Sequence, residues 1–529
     1  MLRINNLSAS LDTREQDLRR IAARHLRVKP EMIQHLKVQK KSVDARDKTD
    51  VHFVYSLEVS LIPEKEEERA VQRKLAVRAA APEPLWLPSR SFEHPLVVVG
   101  AGPAGLFCAL MLAKAGAMPI LIERGKPVDE RARDVQALQE QSILDPQSNV
   151  QFGEGGAGAF SDGKLTTGTK SPLQQEILRI FVEHGAPEDI LYLQRPHIGT
   201  DRLRGTVASI RQEIIRLGGQ VRFSTRLTGL ELRNRQVVGA RVVGPAGEET
   251  IRTDTLFLCI GHSARDTITA LFDQGVAMTA KPFAVGVRIE HLQAWVDRAQ
   301  YGTYAGHPAL RPAEYKLNVP TPDGRGVFTF CMCPGGSVIA SASEPGGVVT
   351  NGMSLHARDG RQANAALLVG VRAEDFPQDQ PLAGMRWQRR LEEAAFRAGG
   401  SDYRAPAQRV EDFLAGRPGT RFGEVQPTYR PGVVPCDLRE ILPAWIHENL
   451  AFALPRLDGQ LRGFAHPDAV LTGVESRSSS PVRLPRSADG TAEGLAGLYP
   501  VGEGAGYAGG IMSAAVDGMQ AALRVLQKN

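Results

Sequence analysis

The chain has little cysteine and no long apolar run. Five cysteines (Cys108, Cys259, Cys331, Cys333 and Cys436) are scattered through 529 residues. So odd and sparse a set argues against a disulfide framework and fits a reducing cytoplasm. No Cys/His cluster has zinc spacing, so no metal site is expected. No stretch reaches the length of about eighteen apolar residues that a membrane span requires, and no membrane partner is expected. The opening MLRINNLSASLDTREQDLRR has no apolar core, which reads as no export signal. Aromatics supply 6% of the chain, too few for a broad stacking surface. Internal repeats and long low-complexity tracts are also missing.

What is abundant is glycine, at 53 residues, a composition suited to laying backbone against a phosphate-bearing ligand. Hydrophobic residues at 42% and charged residues at 23% are ordinary for a globular chain, and the length calls for two or three domains. The net charge is +5, and residues 1–90 hold 18 of the 64 basic and 13 of the 59 acidic side chains, so the whole excess lies there. A solvated face on a small domain accounts for it. A nucleic-acid surface is the lesser reading, since no nucleic-acid motif accompanies the charge.

Residues 1–85 read as a small α/β module: a strand at Leu2–Ile4, a helix at Thr13–Arg24 capped by Asp12 or Thr13, a short helix near Pro30, strands at Leu36–Ser42 and Val51–Ile62, and a charged helix around EKEEER. A proline-rich linker occupies 86–95. From 96 to 275 the pattern is strand, helix, strand, two further helices (Gln174–His184 and Arg202–Leu217), a strand at Gln220–Ser224, a three-stranded meander from Thr228 to Arg252, and a strand at Thr255–Ile260. Residues 276–485 are irregular mixed strand and helix. The stretch 486–529 returns to a buried strand (Leu498–Val501), a glycine turn and a helix (Ile511–Leu526).

The strongest signal is LVVVGAGPAGLFCALMLAKAGAMPILIERG at 96–125. Gly100 permits the tight turn off a strand, Gly102 lets a pyrophosphate approach the backbone, and Gly105 lets the helix pack close to the sheet. The helix start at Pro103 and Ala104 then faces the phosphates. Glu123 closes the second strand, where a carboxylate can accept both hydroxyls of an adenosine ribose and disfavours a 2′-phosphate. Arg124 and Arg131 are candidates to help hold phosphate or ribose. A second glycine-rich loop, NVQFGEGGAGAFSDGKLTTG at 149–168, brings Gly158, Ser161, Asp162, Gly163 and Lys164 as a possible anion cradle.

The far end of the chain, GLYPVGEGAGYAGGIMSAAVDG at 497–518, resembles the C-terminal flavin motif of the glutathione-reductase-like superfamily. That resemblance implies FAD, with Gly502 and Glu503 (where Asp is more usual) at the ribityl or phosphate portion and Gly509, Gly510 and Ile511 beneath the flavin pyrimidine. TDTLFLCIGHSA at 253–264 resembles the same superfamily, which implies contacts from Gly261 and, after the preceding strand, from Leu227. Taken together, the KSVDAR stretch at 41–46, GAGPAGLF, FGEGGAGAFSDGKL, FTFCMCPGG at 328–336, NGMS and GEGAGYAGG resemble a family of bacterial and plastid FAD-dependent dehydrogenases. The implied architecture is α/β: a Rossmann-type FAD-binding domain (96–275 with 486–529), an inserted mixed α+β substrate or cap domain (276–485), and the small N-terminal α/β module.

Candidates for chemistry are few. Cys331 and Cys333, two apart in a strand, are expected on one face, as a redox pair or flavin contact, or simply as buried packing. His262, directly after a cofactor strand, and His197 are acid/base candidates, each with a bound core imidazole as the alternative. Arg288, Lys316 and Arg358 could bind an anionic substrate, though no local pattern singles them out. GVRIEHLQAW at 286–295 has no glycine loop, which argues against a second nucleotide domain. The expected function is an FAD-dependent oxidoreductase passing hydride between a small organic substrate and flavin. The alternatives are a monooxygenase visited transiently by NAD(P)H, an RNA-binding or tRNA-modifying flavoprotein, and a non-catalytic FAD scaffold.

Overall fold

The computed structural model describes residues 1–80, 85–377 and 379–528. The linker segment around 81–84 lies outside the described residues, and 85–96 runs without helix or strand.

The N-terminal unit is β1 (Leu2–Ala9), α1 (Leu18–Leu26), β2 (Ile33–Asp44), β3 (His52–Leu61), α2 (Lys65–Gln72) and β4 (Val77–Arg78). These strands form one antiparallel sheet in the order β2-β3-β1-β4. Strict alternation in β3 turns Phe53, Tyr55, Leu57, Val59 and Leu61 into a core shared with Leu18, Ala22 and Leu26 of α1. The predicted helix from Thr13 instead opens at Leu18, after a 3₁₀ turn at Glu15–Asp17, and neither Asp12 nor Thr13 caps it. The edge of β2 does not face solvent alone: Lys41 N–H donates to Tyr192 O at 2.7 Å, and Gln194 N–H donates to Lys41 O at 2.9 Å.

The next region contributes β5 (Val97–Val99), α3 (Pro103–Lys114), β6 (Ile120–Ile122), α4 (Val128–Gln141), α5 (Leu173–Glu183), α6 (Thr200–Arg216) and β7 (Gln220–Arg222). A meander follows, of β8 (Arg226–Arg233), β9 (Gln236–Gly244) and β10 (Gly247–Arg252), and then β11 (Leu256–Leu258) and α7 (Arg265–Asp273). Helix α4 was not foreseen: only Val128, Arg131, Val135 and Leu138 are buried on it, a stripe interrupted by charge.

Further along come β12 (Thr279–Ala280), β13 (Phe283–Leu292), α8 (Gln293–Tyr301), β14 (Asn318–Val319), β15 (Val327–Cys333), β16 (Ser337–Ala340), β17 (Thr350–Met353), β18 (Gln362–Val371), α9 (Ala383–Ala398), β19 (Ala405–Arg409), α10 (Val410–Leu414), β20 (Val433–Pro435), α11 (Ala444–Gln460), β21 (Val470–Glu475) and β22 (Val482–Arg483). The chain closes with β23 (Leu498–Pro500) and α12 (Ile511–Gln527).

Two sheets organise this body. Five parallel strands lie in the order β23-β11-β5-β6-β7, so the chain progresses outward from β5 to β7 and then restarts on the other side at β11. Alternation gives the sheet two apolar faces. Val98, Leu121, Phe257 and Tyr499 pack under α3, α5, α6 and α12, while Val97, Val99, Ile120, Leu256 and Leu498 pack against the meander. The reversal of strand order between β5 and β11 leaves a crevice at their carboxyl ends, where ligands of such sheets bind. The second sheet runs β14-β15-β18-β13-β21-β19-β20, antiparallel except for its last pair. Its central strand β13 is buried at all ten positions. A buried ionic clamp joins the two bodies: Arg265 of α7 and Arg477 both grip Glu392 of α9 at 2.7–2.9 Å.

Candidate functional site

At the β5/β11 reversal the structure holds a cavity of about 710 Å³. Its walls come from the turn after β5, the end of β6, the glycine loop before α5, the turn after β11, the β15 strand of the second sheet and the start of α12.

Gly100 adopts φ +101 and sits so close to the Cys259 carbonyl that a side chain has no room. Gly102 caps α3, and a Cβ there would meet nothing nearer than Gly156 Cα at 3.8 Å, so its free side is the cavity. Pro103 and Ala104 line the cavity beside it. Glu123 is 6% exposed, and its carboxylate accepts from the N–H groups of Ala101 (2.7 Å), Gly125 (2.9 Å) and Gly153 (2.9 Å). Three fixed donors orient the carboxylate at the cavity wall. Arg124 lines the cavity as well, but it is held by Asp266 at 2.8–2.9 Å and lies over the Phe152 ring.

Gly158, Ser161, Asp162, Lys164, Leu227, Gly261, Glu503, Gly509, Gly510 and Ile511 all reach the same cavity. Residues separated by four hundred positions thus meet, because β5, β11 and β23 are neighbours. Gly510 at φ +82 opens α12 and aims its first turn inward. Asp162 is not free to hold a ligand. It binds Arg358 at 2.5 and 3.0 Å and Lys164 at 2.8 Å, and these cations keep its carboxyl well below the usual range against the burial that would raise it. Lys164 is likewise shared between Asp162 and Glu314, so it enters the cavity wall as one member of a paired cluster.

Four predicted contacts do not line the cavity. Arg131 is fully buried and donates to the carbonyls of Asn149, Val150, Gly153 and Glu154, so it props the glycine loop away from the cavity. Gly105 packs against the Gly100 carbonyl, which is a helix–turn contact. Gly163 turns the loop past Gly199. Gly502 donates its N–H to Asp517 at 2.6 Å and packs on Ala104.

The catalytic candidates divide as well. His262 lines the cavity, with Nδ1 3.4 Å from Glu503 and a buried Nε2 that has no hydrogen-bond partner among the described residues. His197 does not line it: the ring is 1% exposed, stacks on His356 and bonds its carbonyl at 3.1 Å, and burial with Arg358 nearby pushes it down to about 4. It is a neutral packing group. Cys331 and Cys333 do not share a face as a plain strand would have them. A bulge between Phe330 and Cys333 puts Cys331 at φ +41 on the cavity wall and buries Cys333 completely. Of the three possible anion-binding cations, Lys316 lines the cavity, whereas Arg288 and Arg358 are buried in ion pairs with Glu475 and with Asp162 and Glu314. Glu475 carried no sequence signal, yet it reaches the cavity 2.5 Å from Arg288, and burial pushes its carboxyl up to about 7 despite that cation.

A protein of Clostridium beijerinckii, described as an uncharacterized protein, is 44% identical over 541 residues and spans 100% of this chain and 99% of its own. The chain belongs to that protein's family. Residues 282–478 match the model of the FAD-dependent protein, C-terminal domain-like family, which marks the family as FAD-dependent, and residues 1–60 match a domain of unknown function. Among solved structures, this family member is loosely similar to a triple mutant of the flavin-dependent brominase Bmp2, with 12% identity, 83% and 81% of the two chains covered and a TM-score of 0.37. It is similar to the same degree to a geranylgeranyl bacteriochlorophyll reductase-like protein of Thermoplasma acidophilum, with 14% identity, 82% and 79% covered and a TM-score of 0.34. No described helix is long and apolar enough to cross a membrane, and no group of potential metal ligands occurs among the described residues.

Proposed function

We propose that the chain is an FAD-dependent oxidoreductase that transfers hydride between a small organic substrate and flavin held in a Rossmann-type domain. One observation carries this: a single cavity at the strand-order reversal is lined at once by Gly102 and Glu123 and by Glu503 and Gly509–Ile511. Its 710 Å³ lies in the range of cofactor sites, about 300–1,000 Å³. The polar inventory fits the group. Glu123 is oriented for ribose hydroxyls, the open side of Gly102 and the start of α3 suit a pyrophosphate, and the N-terminus of α12 suits a ring that gains negative charge on reduction.

FAD, when bound, supplies a flavin nitrogen that exchanges hydride with a substrate carbon. The residues of this chain do the rest. Glu123 would hold the adenosine end, Glu503 and His262 the middle, and Gly509–Ile511 the pyrimidine edge. Thr329, Phe330, Cys331 and Lys316 line the remaining wall, where a substrate would sit. His262, with one nitrogen toward Glu503 and the other unpaired, is placed to hold or release a proton there.

The test is the visible spectrum of the purified protein, followed by anaerobic titration with NADH and NADPH. A flavin band that bleaches with a reductant is expected. Colourless protein that takes up no added FAD would end the reading. Steady oxygen consumption with NADPH and a substrate would move the assignment to a monooxygenase.

A further inference from the structure

The β15 bulge gives two nearby cysteines opposite settings. Cys331 is half-buried on the cavity wall; Cys333 is wholly buried. Cys333 Sγ lies 3.3 Å from the Cys331 carbonyl oxygen, folded back onto the residue that carries the other thiol. Arg288 anchors the kink by donating to the Cys331 carbonyl at 2.9 Å. In a regular strand, residues two apart have Cα atoms roughly 6.6 Å apart, at the upper limit for a disulfide. A bulge with a left-handed residue bends the strand just where the two sulfurs must approach. A non-glycine residue held at positive φ is a strained position, and such strain gathers at functional sites.

The surroundings divide the two roles. Cys331 faces the cations Arg288 and Lys164 and the acids Asp162 and Glu475. The neighbouring Cys333 thiol, helped by the two cations, holds its thiol well below the ordinary range. Cys333, shielded by Gly352, Asn364 and Tyr315, is held well above it by the neighbouring Cys331 thiol and by burial. An accessible, easily ionised thiol beside a buried, protonated one is the arrangement of an attacking and a resolving cysteine.

We propose that Cys331 and Cys333 form a dithiol–disulfide couple that exchanges two electrons with FAD in the same cavity. This rests on the FAD reading above. In the oxidising direction the Cys331 thiolate and the Cys333 thiol form an S–S bond. The electron pair and the Cys333 proton pass to FAD, leaving the anionic reduced flavin. In reverse, that hydride equivalent breaks the S–S bond and restores one thiolate and one thiol.

The experiment is an anaerobic dithionite titration of air-oxidised holoprotein, with maleimide–polyethylene glycol counting of thiols in the denatured protein before and after reduction. Four electrons per flavin are expected in the wild type and in Cys436→Ser, and two in Cys331→Ser and in Cys333→Ser. Three reactive thiols should rise to all five on reduction. Yellow wild-type protein that takes up two electrons and shows five thiols throughout would overturn the couple and leave the FAD reading intact. Colourless protein that binds no FAD would remove both.

Discussion

At the scale of single residues, the site depends on side chains whose charge is fixed by partners. Glu392 lies between two buried guanidiniums, and despite the burial that would raise it, Arg477 and Arg265 hold its carboxyl well below the usual range. A carboxyl depressed on folding stabilises the protein fully above its unfolded value, near about 4.3, and that stabilisation is lost as pH falls through the folded value. Asp162 acts in the same direction. Urea midpoints should therefore drop steadily below about pH 4. Glu392→Gln should cost about 3 kcal/mol at neutral pH, since the two buried cations are left to share the half-buried Glu344 carboxylate, and its acid drop should be shallower. An unchanged midpoint in the variant would show that the clamp carries no stability. Gly102 supplies a second test. Alanine fits the open side of this residue, whereas tryptophan fills the space a pyrophosphate needs. Gly102→Ala should retain flavin and Gly102→Trp should lose it, read as the ratio of flavin to protein absorbance. Equal retention would place the phosphates elsewhere.

At the scale of elements, the decisive contact is the close approach of α3 and α12. A Cβ on Gly518 would run into the backbone of Ala104, so the two helices touch with no side chain between them. Gly518→Val should push α12 away from the sheet, cost about 1–3 kcal/mol and lower flavin retention, because the first turn of α12 lines the cavity. Thermal melts and flavin content should fall together; a melt unchanged by valine would mean the packing is loose. Elements differ in how legible they are. The short buried strands β5, β6 and β11, each punctuated by glycine or a turn, stand out in the sequence. Strand β13 does not: as the central strand of seven it is buried on both faces, so no alternation marks it. Helix α4 hides for the opposite reason, since its buried stripe includes Arg131, whose charge is satisfied by four loop carbonyls.

At the scale of the whole molecule, the cavity is built by two sheets and the last helix together, so its ligand should hold the bodies to one another. FAD added to flavin-depleted protein at a hundred times its dissociation constant should raise stability by about 2.7 kcal/mol, seen as a higher melting temperature. No shift with saturating FAD would deny binding to the folded state. The N-terminal unit belongs to the same assembly, since the ladder from Lys41 to Tyr192 and Gln194 ends one residue before Arg195, and Arg195 lines the cavity.

The residue string alone determines the turn geometry at Gly100–Gly105, the acid that closes β6 and the glycine-rich start of α12. These are local features, set by the steric freedom of glycine and by short-range periodicity. Tertiary structure alone decides which charges are free. Arg131, Arg288, Arg358 and Asp162 read as exposed ligand-binding groups until the fold brings their partners, tens to hundreds of residues away, to within hydrogen-bond distance. The bulge at Cys331 is likewise imposed by pairing with β18, because strand register is a property of two strands and is not written in either one.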